Sequence, residues 1–320
     1  GLLLFGYDVV NSNNTDLSLI DNLPVPLDYQ MGPGDSIRVE IFGKTEQSLN
    51  LVIDRDGQVN LPGIGPLPVS GQTFLQMREQ ISTEIKRKSI GVDVSVAMGS
   101  MRAMQVYIVG EANRPGAYNV NGITTLTQAL MGSGGVKQVG SLRNIQLLRK
   151  GEVISQFDLY DLLLKGDTSS DIHLLAGDVV FIPPVTNSVG IKGEVARPAI
   201  YELKNESNLQ EVLAIAGGML ATAYEQIIKV ERINESGLRS VLNIDLNAKS
   251  NAQQSLQNGD ILEVGSVLSR LEHSVTVKGH VARPGIYGWH KNMRLSELLS
   301  DINDFKERPE LNYILVIRRN

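Results

Sequence analysis

The feature that most constrains this chain is a nine-residue phrase that occurs three times. It reads Gly110-Glu111-Ala112-Asn113-Arg114-Pro115-Gly116-Ala117-Tyr118, then Gly193-Glu194-Val195-Ala196-Arg197-Pro198-Ala199-Ile200-Tyr201, then Gly279-His280-Val281-Ala282-Arg283-Pro284-Gly285-Ile286-Tyr287. All three are Gly-x-x-x-Arg-Pro-x-x-Tyr, and the copies start 83 and 86 residues apart (110, 193, 279). A unit of about 80 residues is large enough to hold its own core.

The agreement persists past the phrase. Sixteen residues after each first Gly stands Leu126, Leu209 or Leu295, and twenty after it stands Leu130, Leu213 or Leu299. Leucines four apart share one helix face, and Thr125 and Asn208 stand where N-caps belong, so the spacing predicts a helix. Twenty-four residues after the first Gly comes Gly134, Gly217 or Asn303, the residue types that best tolerate the left-handed conformation ending a helix. Apolar stretches before each phrase, 106–109, 189–191 and 275–277, predict strands. Pro presets φ and the next Gly permits a type II turn in the first and third copies, whereas Ala199 points to a type I turn in the second.

Gly177-Asp178 and Gly259-Asp260 close the first two copies as tight turns leading into buried strands. The order strand, turn, strand, helix, further strands predicts one helix across a small mixed sheet, an α+β layer fold. From Gly110 to Asp178 is 68 residues and from Gly193 to Asp260 is 67, so the third Gly-Asp is expected near position 346, beyond Asn320. The expectation is a third copy cut short, in a stretch of a longer protein.

Residues 28–104 do not match the repeat. Met31-Gly32-Pro33-Gly34-Asp35 is a tight turn feeding the alternating strand Ile37, Val39, Ile41. Residues 51–61 read as a hairpin turning at Asp56-Gly57, and Pro62-Gly63-Ile64-Gly65 follows. Phe74, Met77, Ile81 and Ile85 recur at helical spacing and predict a core-facing helix. Val92, Val94 and Val96 predict a further strand.

Taken together these residues resemble the polysaccharide export family of Gram-negative bacteria. The resemblance rests on Gly32-Pro33-Gly34-Asp35, on Asp54 to Gly57, on Pro62 to Gly65, and on the repeated modules that follow. It implies an extended lead-in at 1–27 and an α+β export domain at 28–104. Tandem SLBB β-grasp modules are implied at 105–186, 187–268 and, incomplete, 269–320. It further implies a periplasmic, outer-membrane-associated conduit that oligomerises with itself, a polysaccharide polymer as cargo, and an inner-membrane polysaccharide co-polymerase as partner. The implied role of Gly32, Pro33, Gly34, Asp35, Asp54, Gly57, Pro62 and Gly65 is structural. Two family features, a lipid-bearing N-terminal cysteine and a C-terminal amphipathic helix, are not within these 320 residues, which fits the expectation of a longer protein.

Composition narrows the alternatives. A formal charge of −5, with only short basic runs at 86–88 and 318–319, gives no electrostatic footprint for nucleic acid. With zero cysteines there is no disulfide framework, thiolate nucleophile or Cys-based zinc site. His173, His273, His280 and His290 have no metal-ligand spacing, and no nucleophile–base arrangement is recognisable. The reading is therefore a protein that is not an enzyme, with no cofactor and no metal. Gly43-Lys44-Thr45 lacks the Gly of a phosphate loop, because position 38 is Arg. Gly132-Ser133-Gly134-Gly135 is a helix stop, and Asp54-x-Asp56-Gly57 is a turn rather than half a calcium loop.

Some side chains remain as binding candidates. Trp289 and His290 stand beside the third turn, where an aromatic face offers contact to a pyranose ring. Arg114, Arg197 and Arg283 would attract an acidic polymer if they faced a pore. Glu111 with Arg114, and Glu194 with Arg197, are expected as local exposed ion pairs worth under about 1 kcal/mol. The alternative function is a soluble glycan- or small-ligand-binding protein that uses the β-grasp modules.

Overall fold

The computed structural model describes residues 1–12, 24–44, 46–234, 236–246, 254–267, 272–308 and 313–317. It forms two units, Gly1–Ser266 and Val267–Asn320. The first unit opens with helix α1 (Tyr7–Ser12), so the lead-in expected to be extended contains a turn of helix. Gly6, at φ +87°, redirects the chain into it, and Tyr7 and Val10 are buried one turn apart.

The region read as the export domain has strands β1 (Ser36–Phe42), β2 (Gln47–Val52), β3 (Gln58–Leu61) and β4 (Gly65–Pro68), then helix α2 (Phe74–Lys88) and strand β5 (Asp93–Met98). β1 is the centre of an antiparallel sheet ordered β2-β1-β5, and β3 and β4 form a separate hairpin. α2 starts on a capping box in which the Gln76 amide donates to Thr73 Oγ1 (3.2 Å) and the Thr73 amide to Gln76 Oε1 (3.0 Å). Its buried residues are Phe74, Met77, Ile81 and Ile85, as the spacing predicts.

Residues 51–61 depart from the expected hairpin. The turn is there, with Asp54 Oδ1 accepting from the amides of Asp56 (3.0 Å) and Gln58 (2.9 Å). Its arms belong to different sheets, however, because β2 pairs with β1 and β3 with β4. Three bonds pull them apart. The Ile53 amide donates to the Asp35 carbonyl (2.9 Å), and the Gly57 carbonyl accepts from Val69 (2.9 Å) and Ser70 (3.0 Å).

The first repeat has β6 (Ala103–Gly110), β7 (Gly116–Asn121), α3 (Leu126–Gly132), β8 (Ile145–Arg149), β9 (Glu152–Phe157), α4 (Leu159–Lys165) and β10 (Val179–Ile182). The second has β11 (Ser188–Gly193), β12 (Ala199–Glu202), α5 (Leu209–Ile215), β13 (Ala223–Ile233), β14 (Arg239–Ile244) and β15 (Ile261–Ser266). Their sheets are topologically identical, β7-β6-β10-β8-β9 and β12-β11-β15-β13-β14, each with one parallel pair at the centre. Thr125 and Asn208 cap α3 and α5 through capping boxes with Gln128 and Glu211, and Leu126, Leu130, Leu209 and Leu213 are buried beneath them. One continuous apolar core serves both repeats.

The turn chemistry differs from expectation. Gly116 and Gly285 do not adopt positive φ; they begin strands, so Ala199 occupies the same place without a change of conformation. The left-handed residue is instead the first Gly of the phrase, at φ +81°, +90° and +114° for Gly110, Gly193 and Gly279. In the two complete sheets that Gly lies against the closing strand. A Cβ at Gly110 would stand 2.2 Å from the Ile182 carbonyl oxygen, and one at Gly193 would stand 2.0 Å from that of Val264.

In the second unit, strands β16 (Ser274–Val277) and β17 (Gly285–Gly288) form an antiparallel pair. Leu295 opens a 3₁₀ turn (Leu295–Glu297), not an α-helix, and Asn303 lies in another (Ile302–Asp304), not in the left-handed conformation expected of it. The described residues of this unit supply a two-stranded sheet and leave Leu295 42% exposed. A single helical turn with no apolar face to bury is marginal in water.

Replacing Gly193 by Ala is expected to cost about 2–3 kcal/mol, from left-handed strain and the close carbonyl. Gly116→Ala, which meets nothing within 4 Å, should change stability by less than about 0.5 kcal/mol. Urea denaturation of the two variants measures both.

Candidate functional site

The repeated phrase is a bracket between a turn and a helix end. In each copy the Tyr hydroxyl donates to the carbonyl of its own Arg: Tyr118 to Arg114, Tyr201 to Arg197 (2.7 Å) and Tyr287 to Arg283 (2.5 Å). The guanidinium then reaches the last carbonyls of the following helix. Arg114 donates to Ser133 O (3.2 Å) and Gly132 O (3.4 Å), and Arg197 to Ile215 O (3.1 Å). Those carbonyls have no partner within the helix and carry its negative end, so a cation is favoured there.

The expected pairs of Glu111 with Arg114 and Glu194 with Arg197 do not form, because each Arg is turned toward its helix. Glu111 meets Lys137 Nζ (3.4 Å), and Glu194 accepts from Thr222 Oγ1 (2.5 Å). Arg283 lies beside Asp304, whose carboxyl is held below its usual range first by the Asp301 and Ser300 amides and then by Arg283. Arg114 and Arg197 each serve the helix of their own copy, and Arg283 acts on Asp304 within the third.

Three Gly-Asp pairs carry the second recurring device. Asp35, Asp178 and Asp260 are all buried at 1% exposure or less. Asp178 is gripped by Arg149 through Nε–Oδ1 and Nη2–Oδ2 bonds of 2.8 Å each, and Asp260 by Arg232 through bonds of 2.9 and 2.6 Å. The Leu175 and Gln257 amides donate to the same carboxylates at 2.8 Å. Asp35 receives Arg102 Nη1 (2.7 Å), the Arg102 amide (2.8 Å), the Gly32 amide (2.8 Å) and the Tyr29 hydroxyl (2.9 Å). Burial, and then the neighbouring carboxylate, push the Tyr29 hydroxyl well above its usual range, so it stays a donor.

Among the export motifs, Gly34 (φ +95°) turns the chain toward Asp35, Gly57 stands with Asp54 in its turn, and Pro62 and Gly65 flank the β3–β4 turn. Sequence reasoning missed Arg149 and Arg232. The signal existed, since each stands 39 residues after its copy's first Gly (110 to 149, 193 to 232).

A third polar cluster joins the two complete repeats. Arg143, 8% exposed, contacts Asp158 (3.2 Å), Glu206 Oε2 (2.7 Å) and the Glu202 carbonyl (3.1 Å), and lies 4.6 Å over the Tyr160 ring. The Glu202 carboxylate accepts from Ser141 Oγ (2.5 Å) and the Leu142 amide (2.8 Å). Burial pushes the Glu202 carboxyl above its usual range despite those bonds. Burial also acts upward on Glu206, but Arg143 and the Lys204 amide outweigh it and the carboxyl ends low. At the matching places the second repeat has Gln226 for Arg143 and, since Phe157 and Ile244 hold the same position opposite Ile145 and Ile228, Asn247 for Tyr160, so no offset pattern could have flagged this junction.

In the second unit the structure brings Trp289 and His273 together, stacked at 6.1 Å and 7°. Trp289 is 46% exposed, and His290 Nε2 stands 3.0 Å from Glu297 Oε2. In the first unit an open groove of 670 Å³ between α2 and β5 presents Arg78, Lys86, Ser82 and Thr83. Among the described residues, no three His, Asp or Glu side chains converge as metal ligands, and no helix is long and apolar enough to cross a membrane.

These features define an α+β export domain followed by β-grasp-like SLBB modules, with the export domain and the two complete modules each anchored on a buried carboxylate. Comparison with known proteins agrees. Residues 23–98 match the polysaccharide biosynthesis/export protein family, residues 104–182 match an SLBB domain, and residues 188–241 with 274–301 match a second SLBB domain model. The chain is 27% identical over 206 residues to the polysialic acid transport protein KpsD of Escherichia coli, covering 64% of this chain and 36% of that protein. It is 29% identical over 231 residues to the EPS I polysaccharide export outer membrane protein EpsA of Ralstonia nicotianae, covering 71% of this chain and 60% of that protein. The chain thus spans 36% of the first of these relatives and 60% of the second, less than two thirds of either. It belongs to the polysaccharide export family.

Asp178→Ala leaves Arg149 without its buried partner and should destabilise the first unit by about 3 kcal/mol, read from denaturant melts. Glu202 predicts a pH dependence. Its raised folded pKa means that its contribution to stability is full below the unfolded value of about 4.3 and is lost as pH rises through the folded one. Glu202→Gln removes that loss, so the variant's Tm relative to the parent should climb as pH rises above about 4.3. A constant difference in thermal melts would contradict the assignment.

Proposed function

We propose that this chain is a non-enzymatic, periplasmic part of an outer-membrane-associated polysaccharide exporter, which assembles with copies of itself as a conduit for the polymer. The observation that carries this reading is the order of the chain, an export-domain match followed by SLBB matches, together with its similarity to proteins whose names state polysaccharide transport or export. The physical design supports it. The charged groups that recur are spent inside each module, on helix ends and buried turns, which favours rigid building blocks over a reactive cleft. Modules of this kind stack through their surfaces, and the reading assigns an inner-membrane polysaccharide co-polymerase as the partner at the opposite membrane.

A second reading, a glycan-binding module, is favoured by the half-exposed Trp289 plate with His290 and Glu297 beside it. An aromatic face next to hydrogen-bonding side chains suits a sugar ring.

Deletion of the gene should abolish polymer at the cell surface, and native mass spectrometry of the full-length protein in detergent should give a discrete oligomer. A strict monomer whose deletion leaves secretion intact would end the conduit reading. Saturable oligosaccharide binding that is lost in Trp289→Ala would favour the second.

A further inference from the structure

The first twelve residues are fitted into both complete repeats. At the second repeat they add to an open sheet edge. β12 is the outermost strand of its sheet, and Leu4 pairs with Ile200 in parallel. The Ile200 amide donates to the Leu3 carbonyl (2.8 Å) and the Phe5 amide to the Ile200 carbonyl (2.9 Å). The Phe5 ring stacks on Tyr201 of the second repeat at 5.0 Å and meets Tyr160 of the first edge-on at 5.1 Å. After the turn at Gly6 the chain enters the first repeat. There the Tyr7 hydroxyl donates to the Gly140 carbonyl (2.5 Å), and Val10 is fully buried.

Asn11 completes the attachment like a strand in miniature. Its Nδ2 donates to the Val136 carbonyl (3.0 Å), and its Oδ1 accepts the Val136 amide (2.9 Å). Small residues make room on both sides. A Cβ at Gly135 would stand 2.1 Å from Asn11 Oδ1, one at Gly6 2.7 Å from Leu163 Cδ1, and one at Gly190 3.0 Å from Leu2 Cδ1. The place in the second repeat that matches Gly135 is Gly218, where a Cβ meets nothing within 4 Å. The filled crevice is thus particular to the first repeat.

We propose that the junction of the two repeats is a built peptide-binding site whose ligand is this chain's own residues 2–12, and that the bound segment clasps the repeats in one fixed orientation. The recognition is of two recurring kinds: main-chain addition to a sheet edge for affinity, and aromatic and amide anchors for register. The segment holds an element of each repeat at once, so an opening of either end weakens the grip of the other. This inference does not depend on the export reading.

The test uses amide hydrogen exchange of the intact chain. Ile200 and Val136 report the two ends of the clasp in different repeats. Asn11→Ala removes both bonds to Val136 and leaves the aromatic packing, so it should fold. Exchange is expected to accelerate at least about tenfold at both amides together. Acceleration at Val136 alone would mean two independent contacts and would overturn the proposal.

A second measurement reads orientation. The absence of native cysteine allows spin labels at Val153→Cys and Leu238→Cys, both exposed and one in each repeat. The distance distribution should broaden in Asn11→Ala and narrow again when a synthetic peptide of residues 1–12 is added. An unchanged width, or no response to peptide, overturns the clasp. Narrowing that follows protein concentration without peptide overturns the assignment to the chain's own segment in favour of one from a second copy.

Discussion

The interaction on which the rest depends is a buried carboxylate at the end of a Gly-Asp turn, held by an arginine from elsewhere in the same domain. A charge taken out of water is tolerated only if it is paired and its remaining lone pairs are used. At Asp178 and Asp260 the partner is a two-pronged guanidinium from the end of β8 or from β13, supplemented by a backbone amide three residues upstream. The closing strand starts immediately after the aspartate, so this pairing places the parallel neighbour of β6 or β11. The left-handed Gly at the far end of that neighbour then meets the closing strand's carbonyl. Register at one end of the strand pair and close approach at the other are thereby linked.

The Arg-Pro phrase adds the helix to this frame. A sheet of five strands leaves a face to be covered, and α3 or α5 covers it with paired leucines. The phrase arginine reaches the helix's last carbonyls, so turn, strand and helix end are tied at one corner. The positive groups that invited a ligand reading in sequence are consumed in this corner. An arginine that recurs with a motif is as good a sign of an internal carbonyl cap as of an anionic ligand, and the register of the phrase with the helix stop decides between them.

Between repeats the logic changes from repetition to individuality. Arg143, Tyr160, Glu202 and Glu206 have no like residue at the matching places of the other repeat, and Arg143, paired with Asp158 within the first repeat (3.2 Å), reaches across the junction to Glu206 (2.7 Å). Residues 2–12 fill the same region with aromatic and amide anchors. A tandem array held only by chain connectivity would leave its modules free to reorient. A satisfied polar cluster plus an apolar segment, each specific in geometry, gives them one arrangement.

What the residues by themselves determined about this protein is what is local and repeated. The leucine spacing and caps of α3 and α5, the apolar face of α2, and the Gly-Asp turns were legible because helix periodicity and turn chemistry are short-range. The order of these signals was enough to indicate the family. What only the tertiary structure decided is everything that depends on residues distant in sequence. It set the two different sheets on either side of the Asp54 turn, where long-range bonds from Asp35 and Ser70 override a local hairpin signal. It moved positive φ from Gly116 to Gly110, where the closing strand demands it, and it paired Arg149 with Asp178 and Asn11 with Val136. It also left the third copy's leucines without a helix, since a helix that short forms only where a sheet waits to bury its face.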